Sequence, residues 1–357
     1  MRIVRYYPRA LIGDGGMTGA VRRWAGATVR AGAQVLVAYD GGHPPGNDGV
    51  EWRPLRHTKR GALHFPIGLD EVLEGADLLV LHSGWTWHNT RAAAMARSMG
   101  VPYLLEPRGA YDPSIVARNR TAKKAWWVAV ERRLVRGARA IHAFFDQERA
   151  HLRSIGYGGP IVVVPNGADI ATAPLWNGSE GSYALWLGRF DPEHKGLDLL
   201  LQSLLTIPPA ERPALKLCGP DWHGRKAGVH RMIASLGLSD RVHVEDAVYG
   251  EDKRAMLVAA AAFAYPSRWD ACPNSVLEAI SLGLPTLVTP YPLGRFLADR
   301  GAAVLAEPTP AGLAAGIRRV LEPNAARVGA RGMEVARADL GWDTVARSWL
   351  RQVEDVL

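Results

Sequence analysis

Short apolar runs alternate with amphipathic stretches along the chain. In the first half the runs predict strands at Ile3–Tyr7, Gln34–Tyr39, Asp77–His82, Pro102–Glu106, Ala140–Ala143 and Ile161–Val164. Helical patterning falls between them, at about 17–32, 86–99, 121–137 and 146–155. The second half repeats the scheme. Strands are expected at Tyr183–Leu187, Leu215–Cys218, Val242–Val244, Ala261–Tyr265, Thr286–Val288 and Ala302–Leu305. Helices are expected at about 196–206, 225–236, 251–259, 274–282 and 310–321. Such alternation predicts an α/β fold with parallel sheets covered by helices on both faces. The rhythm breaks at PNGADIATAPLWNGSEGS, rich in Gly, Pro, Asn and Ser. The expected division is a first domain at 1–166, a linker at 167–182, a second domain at 183–341 and a final helix at 342–357. That helix places Val345, Trp349, Val353 and Leu357 on its apolar positions.

The length, 357 residues, also suits two cores better than one. No apolar run reaches the roughly 20 residues that cross a bilayer, and the N-terminus lacks the apolar core of a signal peptide. With only Cys218 and Cys272, no disulfide framework is implied, and a cytoplasmic setting is expected. The histidines show no metal-ligand spacing, so no metal is expected. The net charge of +8 is uneven. Residues 1–170 carry 23 Lys+Arg against 14 Asp+Glu, and residues 171–357 carry 20 against 21. Much of the excess lies at Arg118, Arg120, Lys123, Lys124, Arg132, Arg133, Arg136 and Arg139, interleaved with Trp126, Trp127 and Val130. This segment suits an anionic membrane surface or an anionic acceptor, and equally a solvated helix with one apolar face. No nucleic-acid motif accompanies the charge.

Three motifs point to chemistry. In PSRWDACPNSVLEAISLGLPTLV, Asp270 precedes a Cys272-Pro-Asn turn and Glu278 falls one turn inside the following helix. Asn274 or Ser275 can cap that helix, whose free N–H groups suit a phosphate. A carboxylate on either side of such an anion site can hold sugar and ribose hydroxyls. In LWLGRFDPEHKGLDLLLQSL, Gly188 ends a strand, and Arg189 and Lys195 can neutralise a diphosphate. Near the start, Gly15 and Gly16 let the backbone approach a ligand just before a helix. Gly13, Gly15 and Gly19, with Asp40 after the second strand, also approximate a dinucleotide fingerprint with irregular spacing.

Taken together, these motifs resemble the retaining glycosyltransferases of family 4, with the GT-B fold, over nearly the whole chain. Gly15-Gly16 is similar to the family's glycine loop, VVVPNGAD to the turn that closes the first domain, and LGRFDPEHKG to its donor motif. LCGPD, with Gly219, is similar to the strand and glycine before the next helix. The Asp270 and Glu278 pair resembles two glutamates separated by seven residues, with Asp replacing the first. Trp342 resembles the start of a last helix that returns to the first domain. The family's His-Gly in the first domain is here Arg108-Gly109, in a Pro-Arg-Gly run similar to that of a subgroup building surface polysaccharides. His82, at a strand end, can instead face the ligand or simply be hydrogen-bonded there.

The resemblance implies two Rossmann-like domains facing a cleft, the second binding the donor. It implies transfer, with retention, from a UDP- or GDP-sugar to a hydroxyl acceptor, lipid-linked or belonging to a cell-surface polysaccharide or glycolipid. Arg189 and Lys195 would stabilise the departing diphosphate, Glu278 would hold the ribose and Asp270 the sugar. Backbone near Val248 and after Cys218 would form the base pocket. The nucleotide sugar would be a co-substrate, with no cofactor or metal, and the protein would sit in the cytoplasm or at the inner membrane face. Two other classes stay open: an NAD-dependent oxidoreductase resting on Gly13–Gly19 and Asp40, and a non-catalytic sugar-nucleotide-binding protein, given the departure at Asp270.

Overall fold

A computed structural model describes residues 1–11, 16–44, 48–60, 63–170, 176 and 183–357. The chain forms two compact units, Met1–Gly167 with Trp342–Leu357, and Ala168–Gly341.

The first unit is built on a seven-stranded parallel sheet. Its strands are β1 (Arg2–Leu11), β2 (Gln34–Gly42), β3 (Glu51–Pro54), β6 (Leu78–His82), β7 (Tyr103–Glu106), β8 (Ala140–Ala143) and β9 (Ile161–Val163). They lie in the order β3-β2-β1-β6-β7-β8-β9. A separate antiparallel hairpin, β4 (Arg56–Arg60) and β5 (Leu63–Ile67), interrupts the series. The apolar strands are buried on both faces, one against the helices 69–73 and 87–98, the other against Gly16–Arg30 and the C-terminal helix. The second unit holds β10 (Tyr183–Leu187), β11 (Ala214–Cys218), β12 (Val242–Glu245), β13 (Ala262–Tyr265), β14 (Thr286–Val288) and β15 (Val304–Leu305), in the order β12-β11-β10-β13-β14-β15. Counted along this sheet the order is 3-2-1-4-5-6. The direction of winding therefore reverses between β10 and β13, which opens a crevice at their carboxyl ends.

The C-terminal helix, Trp342–Glu354, belongs to the first unit. Trp342 and Trp349 pack on Trp24, with ring centroids 5.6 and 6.0 Å away. Trp24 Nε1 donates to Asn166 Oδ1 at 2.9 Å, so the Pro-Asn-Gly turn is fastened to the same cluster. Gln352 exchanges hydrogen bonds with Val163 N and O at 3.0 and 3.2 Å, which closes the open edge at β9. Leu357 lies beyond the helix end and is exposed, so it does not join the apolar face.

All twelve expected strands form. The hairpin and β3 were not expected, nor were the helices at 69–73, 292–298 and 326–339. In Ala326–Asp339, Gly329 and Gly332 argue against a helix by propensity. Their reason is packing: a Cβ on Gly329 would collide with the carbonyl of Gly283, and one on Gly332 would press Ile280 at 3.3 Å.

Candidate active site

The second unit gathers its charged motifs at the β10/β13 crevice. Past β10 the chain turns at Gly188 and Arg189, enters the short helix Pro192–Lys195 and bends again at Gly196. Gly196 has φ +66°, and a side chain there would strike the carbonyl of Pro266, just past β13. Gly219 is equally tight, since its Cα faces the carbonyl of Gly188. Gly188 N donates to Cys218 O at 3.1 Å and Phe190 N to Pro220 O at 3.1 Å, so the loops after β10 and β11 run together as backbone.

This close approach sets Lys195 against Asp270, with Nζ 2.6 Å from Oδ2. The same oxygen accepts from Tyr265 Oη at 3.1 Å and Ser267 Oγ at 2.9 Å. Oδ2 is thereby saturated, and Asp270 presents Oδ1, which lies 3.6 Å from His194 Nε2. Burial alone would raise the Asp270 carboxyl; Lys195 and His194 outweigh it and hold the group well below the carboxylate range. Burial pulls the Lys195 ammonium down, and Asp270 partly offsets this. The Tyr265 phenol is pushed well up by burial and by Asp270, and remains a donor.

Arg189 Nη2 lies 3.2 Å from His194 Nδ1, and its guanidinium stacks 4.5 Å from the centroid of Trp222. Trp222 is partly exposed, so this cation stands at the surface of the crevice. His194 in turn stacks on Trp269, centroids 5.2 Å apart. Glu278 sits half-buried, its Oε1 bonded to Lys253 Nζ at 2.9 Å. Its helix runs from Asn274 to Ser281. Pro273, not Asn274 or Ser275, occupies the cap position, and it makes no side-chain cap. Asn274 and Ser275 therefore supply the first helical N–H groups, with Cys272 buried just before them. Val248 is half-buried and its backbone bonds the Cys218 thiol. Sequence reasoning quoted His194 within its motif without using it, and it missed Tyr265, Ser267, Lys253 and Trp222. Only His194, beside Lys195, left a usable signal.

The other named residues belong to the first unit. Gly15 and Gly13 lie outside the described residues, and Gly16 opens the helix Gly16–Arg30 with φ +54°. His82 is buried at 2% exposure, with Nδ1 2.7 Å from Glu106 Oε2. Burial, the largest influence, lowers its pKa to about 4 despite Glu106. Arg108 and Gly109 form a left-handed pair, φ +53° and +77°. Arg108 Nη2 lies 3.1 Å from Glu106 Oε1. Asp40 does not stand alone for a ribose; it faces His57 and His64. One ligand atom from each of the three lies within 4.8 Å of the others, an arrangement the sequence spacing did not suggest. Their separation along the chain concealed it. In the basic segment, Trp126 Nε1 donates to the buried Glu131 at 3.0 Å, and Trp127 packs 6.2 Å from Trp85. The indoles are half-buried in these contacts, while Arg120, Lys124, Arg132, Arg133 and Arg136 face solvent. No helix among the described residues is long and apolar enough to cross a membrane.

Comparison with known proteins places this geometry. Residues 15–167 match the model for the glycosyl transferase 4-like domain, and residues 181–323 the model for glycosyl transferases group 1. A D-inositol 3-phosphate glycosyltransferase of Kineococcus radiotolerans is 28% identical over 277 residues, covering 67% of this chain. The match spans 63% of that relative, a little under two thirds of its length. A GDP-mannose:cellobiosyl-diphosphopolyprenol alpha-mannosyltransferase of Xanthomonas oryzae is 24% identical over 71% of this chain and 67% of its own. Among solved structures, sucrose-phosphate synthase of Thermosynechococcus elongatus superposes with a TM-score of 0.77 at 17% identity, covering 100% of this chain and 99% of its own. HepE of Anabaena, in complex with UDP and glucose, superposes with a TM-score of 0.73 at 16% identity, covering 99% of this chain and 100% of its own. Two family models matched in chain order, on two Rossmann-like units, make this chain a member of the group 1 glycosyltransferases, family 4, with the GT-B fold.

Proposed function

We propose that the protein transfers a hexosyl-type unit from a UDP- or GDP-sugar to a hydroxyl of a lipid-linked or cell-surface saccharide acceptor, with retention at the anomeric carbon. The observation that carries this reading is the convergence of Arg189, Lys195 and Asp270 at the β10/β13 crevice. The costly event in such a transfer is loss of the diphosphate, which gathers negative charge as the sugar becomes oxocarbenium-like. Arg189 and Lys195 are fixed cations placed to stabilise that charge, so the reaction needs no metal. Asp270 takes one of the three ammonium protons of Lys195 and leaves the others for phosphate oxygens. Its Oδ1 accepts from a sugar hydroxyl, and Glu278 accepts from the ribose. The N–H groups of Asn274 and Ser275 face the same anion. No enzymic nucleophile is assigned; the acceptor attacks on the face the diphosphate leaves, which releases the proton to the departing phosphate.

The relatives support the substrate class. One is named for an inositol phosphate acceptor, another for GDP-mannose and a diphosphopolyprenol-linked saccharide, and HepE was solved with UDP. Anionic acceptors of this kind fit a first half with nine excess positive charges, and the exposed arginines at 120–136 offer a peripheral electrostatic contact with the inner membrane face. A thermal-shift screen against UDP-, GDP-, ADP- and dTDP-sugars tests the reading, with NAD as the competing ligand. One nucleotide class is expected to raise the melting temperature, and Glu278→Ala to abolish that rise. Stabilisation by NAD alone would overturn the proposal.

A further inference from the structure

The hairpin β4–β5 stands apart from the seven-stranded sheet of its unit. Two strands alone are marginal in water; the start of this hairpin is already held to the main sheet, where β3 pairs with β2 and Leu55 N donates to Tyr39 O at 2.7 Å. His57 pairs with Pro66 and His64 with Lys59, which puts the two histidines on one face as diagonal neighbours. Their rings meet edge to face, 4.6 Å between centroids. Opposite them stands Asp40, from the main sheet. On β2, Leu36 and Ala38 fill the core beside Tyr6 and Leu81, and Asp40 takes the next position on that face.

Asp40 Oδ1 lies 3.8 Å from His57 Nδ1, and Oδ2 lies 3.7 Å from His64 Nε2. One ligand atom from each of the three residues lies within 4.8 Å of the other two. The side chains are 12%, 27% and 11% exposed, so the cluster is shielded yet reachable. The spacing is informative. A direct hydrogen bond would draw nitrogen and oxygen to about 2.9 Å. A shared tetrahedral ion with bonds of about 2.0–2.2 Å sets neighbouring ligand atoms roughly 3.3–3.6 Å apart. The two Asp–His gaps, each to a different carboxylate oxygen, are a few tenths of an ångström wider, and with one atom taken from each residue all separations stay within 4.8 Å, so binding requires the three side chains to draw in around the ion. Two imidazoles and one carboxylate are also the donor set that zinc-type ions take.

We propose that Asp40, His57 and His64 bind one divalent transition-metal ion of the zinc type, which fastens the β4–β5 hairpin to β2. The ion ties the paired strands β4 and β5 to β2 through their side chains. It is structural, and it is distinct from the donor chemistry of the second unit.

The test uses the full chain, stripped with chelator and titrated with zinc chloride by calorimetry. One saturable equivalent is expected in the wild type. Asp40→Asn and His57→Gln should each weaken it at least about tenfold, as expected for loss of one of three ligands. Hydrogen exchange across residues 56–67 should slow on adding zinc to the wild type and not to His57→Gln. Matching melting curves of the metal-free proteins establish that the variants fold; His64→Gln replaces any that does not. The proposal falls if no saturable equivalent appears, or if wild type and variants bind zinc alike, which would place the ion elsewhere. It also falls if zinc binds without protecting the hairpin.

Discussion

Glu106 in the first unit and Asp270 in the second make an instructive pair. Both stand at or just past the carboxyl end of a parallel strand, and both sit among basic groups. Glu106 is 0% exposed, with Arg5, His82, His142 and Arg108 placed around its two oxygens at 3.8, 2.7, 3.4 and 3.1 Å. Burial would raise its carboxyl, but Arg108 and His82, with hydrogen bonds from both histidines, hold it well below the ordinary range. Both oxygens are fully enclosed by these basic groups. Arg5, lowered to about 10 by burial, stays charged between Glu106 and the faces of Trp24 and Trp349. The group therefore ties β1, through Arg5, to the carboxyl-terminal ends of β6, β7 and β8. Asp270 spends one oxygen on three donors and presents the other at 18% side-chain exposure. The same chemistry thus serves as a rivet where both oxygens are enclosed, and as a substrate contact where one is not.

The contrast can be broken in three ways. Glu106→Ala leaves Arg5 and Arg108 buried without their counter-ion, and the cost should be about 3–5 kcal/mol in urea unfolding. A loss below about 1 kcal/mol would remove the rivet. Arg189→Ala, in the open site, should behave oppositely: transfer activity falls about 10²–10³-fold while the melting temperature barely moves. A variant that melts early and keeps its activity would reverse the assignment. The smallest effect concerns pH. His82 is buried neutral, its folded pKa of about 4 lying below the 6.5 of the unfolded chain. Between those values the unfolded state binds the extra proton, so stability must fall as pH drops from 6.5 toward 4. The loss should be on the order of 2 kcal/mol by pH 5, and His82→Gln should flatten that slope.

Much of the fold was legible because strands covered on both faces must be apolar along their length. The segments missed fail that condition. Arg56–Arg60 is a strand of basic and polar residues, and Glu51–Pro54 is an exposed edge. Arg5 misleads in the other direction, a cation within an apolar run that is 1% exposed because Glu106 and two indoles receive it. In the candidate site, Arg189 and Lys195 were readable as charges beside glycine turns, and Asp270 and Glu278 as carboxylates flanking a Cys-Pro-Asn turn. That Lys195 and Asp270 touch was not readable, because 75 residues separate them.

From sequence alone came the alternation of elements, the two halves, the family resemblance and the residue types able to hold a diphosphate. Local patterning carries that information, since it records which faces are covered and where the backbone must turn. The tertiary structure decided which carboxylate is enclosed and which is open, and which histidines meet an aspartate. Parallel strands are joined through crossovers, so strand order alone determines which strand ends become neighbours. No local pattern records that order.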